Sequence, residues 1–439
     1  VASYYVWSGA TGSANGTSWA NAYTTLTLAF TGKAAGDVFY VAHDHAEASA
    51  TVTLTALGTI ANPNRVICVN RAGSVPPVSA DRRATAQVAT TTNGAIVLNG
   101  FIHYDGIIFV AGNSTGSGNI GVSGTSGVWM RFDNCSFRIG STGAGQINFG
   151  NFGATFINYV ELNNTTMSFS AATQSVQVNN VQRWRNTPLA LIGTAVPTTL
   201  FVPRASTGGD IECIGVDFSA AGSGKTIVGA LAGASINKFR FIDCKHDAAV
   251  TKSAVPTSYG STEIDFIRSG ASGVNYTIFR HRISGTLDQE TTIVRTGGAS
   301  DGTTPLSWKV VTTANCAFSM PFECPPIAIW NDTTGSAKTA TIEGIWGGGA
   351  VPLDSDIWID VEYLGDAASP QGSFVNDGTP DLLSTAANQT SSSATWGGST
   401  TKFKLNVTFT PQQKGWIYAR VKCAKPSSTF YIDPLVTLT

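Results

Sequence analysis

Three groups of side chains could do chemistry. In "AHDHAE", His43, His45 and Glu47 alternate, and on a strand they would share one face. Two imidazoles and a carboxylate suit zinc or iron. A structural site needs a fourth ligand, and the other histidines, His103, His246 and His281, stand singly. The expectation is therefore no metal and no cofactor, with His43, His45 and Glu47 as the metal alternative to a polar, hydrogen-bonded strand end. Asp210 with Glu212, and Glu263 with Asp265, form i, i+2 pairs. Glycosidases need two carboxylates roughly 5–9.5 Å apart across the scissile bond. These four residues are the catalytic alternative, with Arg268, Arg280 and Arg282 as nearby bases; the leading expectation is no catalytic residue. "AAGSGKTIVGA" (220–230) resembles a phosphate loop, but Ser219 stands where its first glycine belongs and no helix pattern follows. A turn between strands explains it better. No G-x-S-x-G elbow offers a serine nucleophile.

The elements that would carry these residues are nearly all strands. "HYDGIIF", "RFDNCSF", "ELNNTTM", "DIECIGVDF" and "RFIDCKH" each set Asp, Asn or Glu after an apolar residue and before small ones. The column Asp105, Asp133, Asn163, Glu212, Asp243 repeats near every thirty residues, as corners of a stacked solenoid would. The long step between Asn163 and Glu212 must hide a further coil near "VQVNNVQRW" (176–184). At such corners, carboxylate and amide oxygens accept backbone N–H bonds, and that duty competes with catalysis. One helix is predicted, from an N-cap at Thr17 or Ser18 through Trp19, Ala22, Tyr23, Leu26, Ala29 and Phe30 to Gly32. Thr24, Thr25 and Thr27 are poor helix formers, so packing must hold it. "GDVFYV" then reads as the first rung.

Composition narrows the partners. The chain has 439 residues, 13% of them charged, and a formal net charge of -1. No basic run offers a track for phosphates, which argues against nucleic acid. No apolar run has the length of a membrane span, so no membrane insertion is expected. The start has neither the basic residues nor the apolar block of a signal peptide. Seven cysteines, none in a C-x-x-C pair, read as reduced thiols in a chain made in a cytoplasm.

After about residue 300 the pattern changes to long alternating strands, "DIWIDVEYL", "KFKLNVTFT" and "GWIYARVKCA". In the last, Ile417, Ala419, Val421 and Cys423 form one face and Trp416, Tyr418, Arg420 and Lys422 the other. The domains expected are a capped solenoid over 1–304 and a jelly-roll-like β-sandwich over 305–439, with 369–400 as its least ordered part or a contact loop. Trp358, Trp396, Trp416 and Tyr418 are the candidates for a subunit interface or a glycan platform.

"YYVWSGATGSANGTSWANAYTTLTLAFTGKAAGDVFYV" resembles the opening of right-handed parallel β-helix proteins of the pectate-lyase-like superfamily. "ECPPIAIWNDTTGSAKTATIEGIW", "DSDIWIDVEYLG" and "YARVKCAKPSSTFYIDP" resemble the tail of β-helix proteins of tailed bacteriophages. The resemblance implies an all-β chain: a right-handed parallel β-helix with an N-terminal capping helix, then a C-terminal antiparallel β-sandwich. It also implies a noncatalytic phage virion protein, a capsid decoration or a spike or fibre component on the virion surface. The implied partners are other virion proteins of capsid or tail, further copies of the chain (a trimer on a threefold site) and a host-surface glycan. Because the chain opens on the cap, attachment is expected through the sandwich or the solenoid flank. The alternatives are a polysaccharide lyase or glycoside hydrolase of a receptor-degrading tailspike, and a carbohydrate-binding adhesin using the sandwich tryptophans. A shared fold does not by itself confer an activity.

Overall fold

The structure is a computed structural model that describes residues 1–122, 127–149, 158–178, 180–186, 195–203, 208–230, 237–254, 262–270, 278–282, 284–290, 307–346, 355–363, 382–383, 387–389, 401–411 and 413–439. The chain divides into two compact units, Val1–Thr277 and Ile278–Thr439.

The first unit is a right-handed parallel β-helix with three walls, wound in the hand that parallel crossovers take. The first wall stacks Ser3–Val6, Val38–Ala42, Asn64–Val69, Phe101–Asp105, Trp129–Asp133, Tyr159–Asn163, Asn180–Arg185, Gly209–Ile214, Asn237–Ile242 and Thr262–Ile267, all parallel. The second wall runs from Ala46–Ser49 to Thr166–Ser168, and the third from Val52–Thr55 to Thr251–Ser253. Period-two alternation turns one side chain of each pair inward. The inward residues are large and aromatic: Tyr104, Phe109, Phe132, Phe137, Phe149, Trp184, Phe201, Phe218, Phe241 and Phe266 form a continuous chain of ring contacts. Asn180–Arg185 is the coil that the long step hid.

The repeating corner differs from the expected polar column. Asp105, Asp133 and Asn163 are register partners, but Glu212 sits opposite Arg183, two residues out of that column, and Asp243 lies one residue beyond it. The position that repeats is a left-handed turn residue just after the first wall, with φ of 79° at Gly106, 54° at Asn134, 48° at Asn164, 46° at Asn186, 65° at Gly215 and 52° at Asp243. Gly, Asn and Asp tolerate that conformation best. At Gly106 a side chain would also collide with the Arg83 carbonyl. Each turn residue donates its backbone N–H to the next coil, and Asn164 Nδ2 donates to Asn134 Oδ1 at 2.8 Å. One step further on, small side chains turn inward. Cys135, Thr165, Cys244 and Ser269 donate to the carbonyls of Tyr104, Phe132, Cys213 and Phe241.

Burial pushes the Cys244 thiol up to about 12 and raises Cys135 and Cys213 as well. All seven cysteines are unpaired and buried. A thiol titration of the folded protein at pH 7.5 should therefore show almost no fast-reacting group, and seven after denaturation. Fast reaction of Cys135 or Cys244 in the native state would contradict this packing.

The cap is smaller than expected. Its helix is only Leu26–Phe30, with Thr25 as N-cap. Tyr23 instead bridges the edge strand, donating to the Tyr5 carbonyl while its own carbonyl accepts from Trp7. That extended pairing, together with the weak propensity of Thr24 and Thr25, keeps Trp19–Thr25 out of the helix. Leu26, Ala29 and Phe30 are buried, and Phe30 meets Phe39 edge-on at 4.9 Å. "GDVFYV" is the second rung, since Ser3–Val6 precedes it in the wall. Its Asp37 ties the two together by accepting from the N–H groups of Ala2 at 2.8 Å and Ala34 at 2.9 Å.

The second unit is an antiparallel β-sandwich. One sheet includes Gly285–Glu290, Ser307–Thr312, Thr429–Ile432, Lys338–Trp346 and Thr401–Phe409. The other joins Phe322–Glu323, Ile327–Asn331 and Ile357–Glu362 to Gly415–Cys423. Ile417, Ala419, Val421 and Cys423 face the core, as their alternation predicts. The boundary expected after residue 304 falls outside the described residues. Ile278–Arg282 and Gly285–Glu290, expected in the solenoid, pair antiparallel and group with the second unit, a pairing that a parallel rung does not make. The 369–400 loop lies outside the described residues apart from Leu382–Leu383 and Ala387–Gln389.

Candidate functional site

The outer face of the first wall concentrates the charge of the solenoid. Its central column runs Arg65, His103, Arg131, Glu161, Arg183, Glu212, Arg240, Asp265 in register. On one side lies a column that is aromatic at Phe101, Trp129 and Tyr159 and then charged at Asp210, Lys238 and Glu263. On the other lie Asp105, Asp133, Asn163 and Arg185. Neighbouring rungs stand about 4.8 Å apart, so charges of opposite sign meet directly. His103 Nε2 lies 2.8 Å from Asp133 Oδ2, and Arg131 Nε lies 3.0 Å from Asp133 Oδ1. Asp210 is held by Arg183 at 3.1 Å and Arg240 at 3.2 Å, and Glu212 by Arg185 at 2.7 Å and Arg240 at 3.7 Å.

These contacts set the protonation of the wall. Burial pushes the Asp133 carboxyl up, but the hydrogen bonds from His103 and Arg131 outweigh it and hold the group at about 2. Asp210 follows the same pattern: burial raises it, and Arg183 and Arg240 bring it below its ordinary value. A folded-state value below the unfolded one stabilises the fold above the unfolded value, and that contribution is lost as pH falls. For Asp133 the loss should run from about pH 4 to about pH 2. Asp133→Asn should therefore flatten the acid limb of a Tm-against-pH profile; an unchanged limb would contradict the pairing.

A cleft of about 420 Å³ opens on this face, lined by Arg131, Tyr159, Glu161, Arg183, Arg185 and Asn186 among others. The Tyr159 phenol, raised by burial and then by its hydrogen bond to Glu161, stays protonated. Here the arginines carry planar donors and the tyrosine an apolar face, suited to hydrogen bonding and stacking.

The sequence-derived candidates scatter. Asp210, Glu212, Glu263 and Asp265 do share the outward face of the first wall, where Glu263 and Asp265 lie opposite Lys238 and Arg240. Arg280 and Arg282 belong to the second unit. "AHDHAE" is not one strand: His43 and Asp44 form a turn, and the strand begins at Ala46. His43 is half-buried, while His45 and Glu47 are buried beneath the cap. Glu47 Oε2 accepts from the Leu26 N–H at 3.0 Å, and His45 Nδ1 accepts from the Ser8 N–H at 2.9 Å. Among the described residues, no group of three or more His, Cys, Asp or Glu could hold a metal ion. The glycines of "GSGKT" lie in the turn before Thr226–Val228.

In the sandwich, Trp358 is buried against Phe318, ring centres 4.9 Å apart. Trp416 is half exposed, meets Trp330 edge-on at 5.5 Å and has Tyr418 beside it on the same face. Trp396 lies outside the described residues. Trp330 was missed, although "IAIWN" alternates Ile327 and Ile329 with Ala328 and Trp330. The arginine ladder was missed because the polar column was aligned on the wrong residue.

No protein-family model and no curated protein matches this chain. Among solved structures it is similar to the enzymatically active domain of bacteriophage CBA120 tailspike protein 4, with 10% identity and a TM-score of 0.25. The likeness covers 92% of this chain and 64% of that one. At that score, the fold assignment stands on the strand register of this chain alone.

Proposed function

We propose that the chain is a noncatalytic component of a phage virion surface, a rigid spike, fibre or decoration element that also contacts the host surface. One observation carries the noncatalytic half: the best-placed carboxylates of the solenoid, Asp133, Asp210 and Glu212, are each clamped by cations. A general acid at neutral pH needs a carboxyl raised toward 6 or 7, and Asp133 and Asp210 move the other way. The virion assignment rests on the resemblance of the C-terminal stretches to the tail of phage β-helix proteins. A capped, cross-paired solenoid with a continuous aromatic core suits a particle exposed to proteases and dilution.

The test is a depolymerisation assay on reducing-end-labelled bacterial capsular polysaccharides and lipopolysaccharides. The size distribution should remain unchanged. Fragments that disappear with Glu212→Gln or Asp265→Asn would overturn the noncatalytic reading in favour of a receptor-degrading enzyme.

The exposed Trp330–Trp416 pair favours glycan contact by the sandwich, since a sugar ring stacks on an exposed aromatic face. Trp416→Ala should leave Tm nearly unchanged and lower retention on immobilised host glycan by about tenfold, equivalent to about 1.4 kcal/mol. Equal retention of both proteins would remove the pair from that role.

A further inference from the structure

A second cleft, of about 470 Å³, opens at the corner between the first and second walls. Arg82, Arg83 and Arg138 line it together with Asp105, Ile108 and Ser136, and the corner residues Asn134 and Asn164 with Thr166 complete it. Its charge is unbalanced. Arg82 spends its cation on Asp105, 3.2 Å away. Arg83 Nη1 donates only to the main-chain carbonyls of Ala80 at 3.1 Å and Arg82 at 2.6 Å. Arg138 Nε donates to the Ser136 hydroxyl at 3.1 Å. Among the described residues neither Arg83 nor Arg138 has a carboxylate in an ion pair, whereas Arg131, Arg183, Arg185 and Arg240 on the adjoining face all do. Two guanidinium groups thus line one concavity outside any ion pair, although Asp81 lies close enough to feel the Arg83 charge, and a guanidinium matches the two oxygens of a carboxylate or the oxygens of a sulfate.

The remaining lining is neutral and polar. Ser136 Oγ accepts from Arg138 and, at 2.9 Å, from the Thr166 hydroxyl, which leaves its own proton to donate. Asn164 spends an N–H on Asn134, and Asn134 one on Asp105 at 3.0 Å, leaving the Asn164 carbonyl as an acceptor. Ile108 supplies an apolar patch of floor. A net excess of cations beside hydroxyl and amide groups matches a ligand with one anionic group and several hydroxyls. The volume falls in the range of small-molecule sites.

We propose that this corner cleft binds an acidic saccharide unit, its carboxylate or sulfate against Arg83 and Arg138 and its hydroxyls against Ser136, Asn164 and Thr166. The assignment does not depend on the chain being a virion component, since the binding is measured on the protein alone.

Calorimetric titration of the full chain with methyl glucuronide, glucose 6-sulfate, methyl glucoside and inorganic sulfate tests it. At least one of the two anionic sugars should bind at least about tenfold more tightly than the neutral glucoside, with affinity falling as salt rises. Arg83→Ala and Arg138→Ala should each lower that affinity by about tenfold with little change in Tm, because Arg83 is exposed and Arg138, half-buried, makes one side-chain hydrogen bond, and Arg138→Lys should restore part of it. The outcome separates carboxylate from sulfate as the preferred anion. Equal affinity for methyl glucoside, or full binding by the Arg83→Ala/Arg138→Ala double variant, would overturn the site. Binding of inorganic sulfate as tight as that of either sugar would overturn the saccharide part of the assignment.

Discussion

Trp184→Ala is expected to destabilise the solenoid by about 3–5 kcal/mol, the cost of emptying a fully buried aromatic position. Among the described residues, Trp184 is the largest fully buried side chain. It stands in register between Leu162 and Cys213 and contacts Phe149 at 5.9 Å and Phe201 at 5.1 Å, both edge-on. Among the described residues, removing it breaks the ring contacts that link the Phe137–Phe149 stretch of the core to the Phe201–Phe266 stretch. The indole N–H that donates to Gln182 Oε1 at 3.2 Å is lost as well. In a solenoid each coil is stabilised by its two neighbours, so the damage should propagate to the coils on both sides. Urea unfolding should show a lowered midpoint, and hydrogen exchange should rise in Tyr159–Asn163 and Gly209–Ile214. Trp184→Phe keeps the ring contacts and should cost much less. A midpoint shift no larger for Ala than for Phe would mean that the aromatic chain does not hold the coils together.

Glu47→Ala should open the cap. The carboxylate reaches across the end of the solenoid to accept from Leu26, the first residue of the cap helix, and lies 3.6 Å from His45 Nε2. His45 in turn accepts from Ser8, next to the edge strand. One buried acid therefore ties together the helix, the second wall and the edge strand. Its loss strands a buried N–H, worth about 1–3 kcal/mol. Exchange protection of Leu26–Phe30 should fall while that of Trp129–Asp133 holds. Exposure of Ser3–Val6 should then promote edge-to-edge association, visible as a shift to larger species on gel filtration. Glu47→Gln keeps an acceptor oxygen and should behave nearly as the parent does. A Glu47→Ala protein with parental exchange and a single unshifted peak would show that apolar contacts alone hold the lid.

The class of fold was legible because two periods are written into the chain: alternation within strands and a recurrence near thirty between them. The register was not. Asp105, Asp133 and Asn163 do align, but the recurrence was carried further by the resemblance of Glu212 and Asp243 to that set. The physical constant of the corner is backbone conformation: Gly106, Asn134, Asn164, Asn186, Gly215, Asp243 and Arg268 share a positive φ, so no single residue type marks it. Aligning on that position would have placed Glu161, Arg183, Glu212 and Arg240 in one column and revealed the ladder. The helix was over-read because Trp19 and Tyr23 fit a helical spacing, while Tyr23 pairs with Tyr5 across a distance no local pattern reports. "AHDHAE" misled for a related reason. A turn at His43 and Asp44 breaks the alternation, and the role of Glu47 is defined by Leu26, twenty-one residues earlier. The corner cleft was invisible because Arg82, Arg83 and Arg138 come together only across stacked coils.

The proposed virion role is tested most directly by imaging purified phage particles from a lysate that contains this chain, with an antibody against the sandwich. The account predicts labelled, slender projections on the virion surface of every particle, and no loss of host-surface glycan around adsorbed particles. Particles without label, or labelled tail tips with cleared glycan around them, would contradict it.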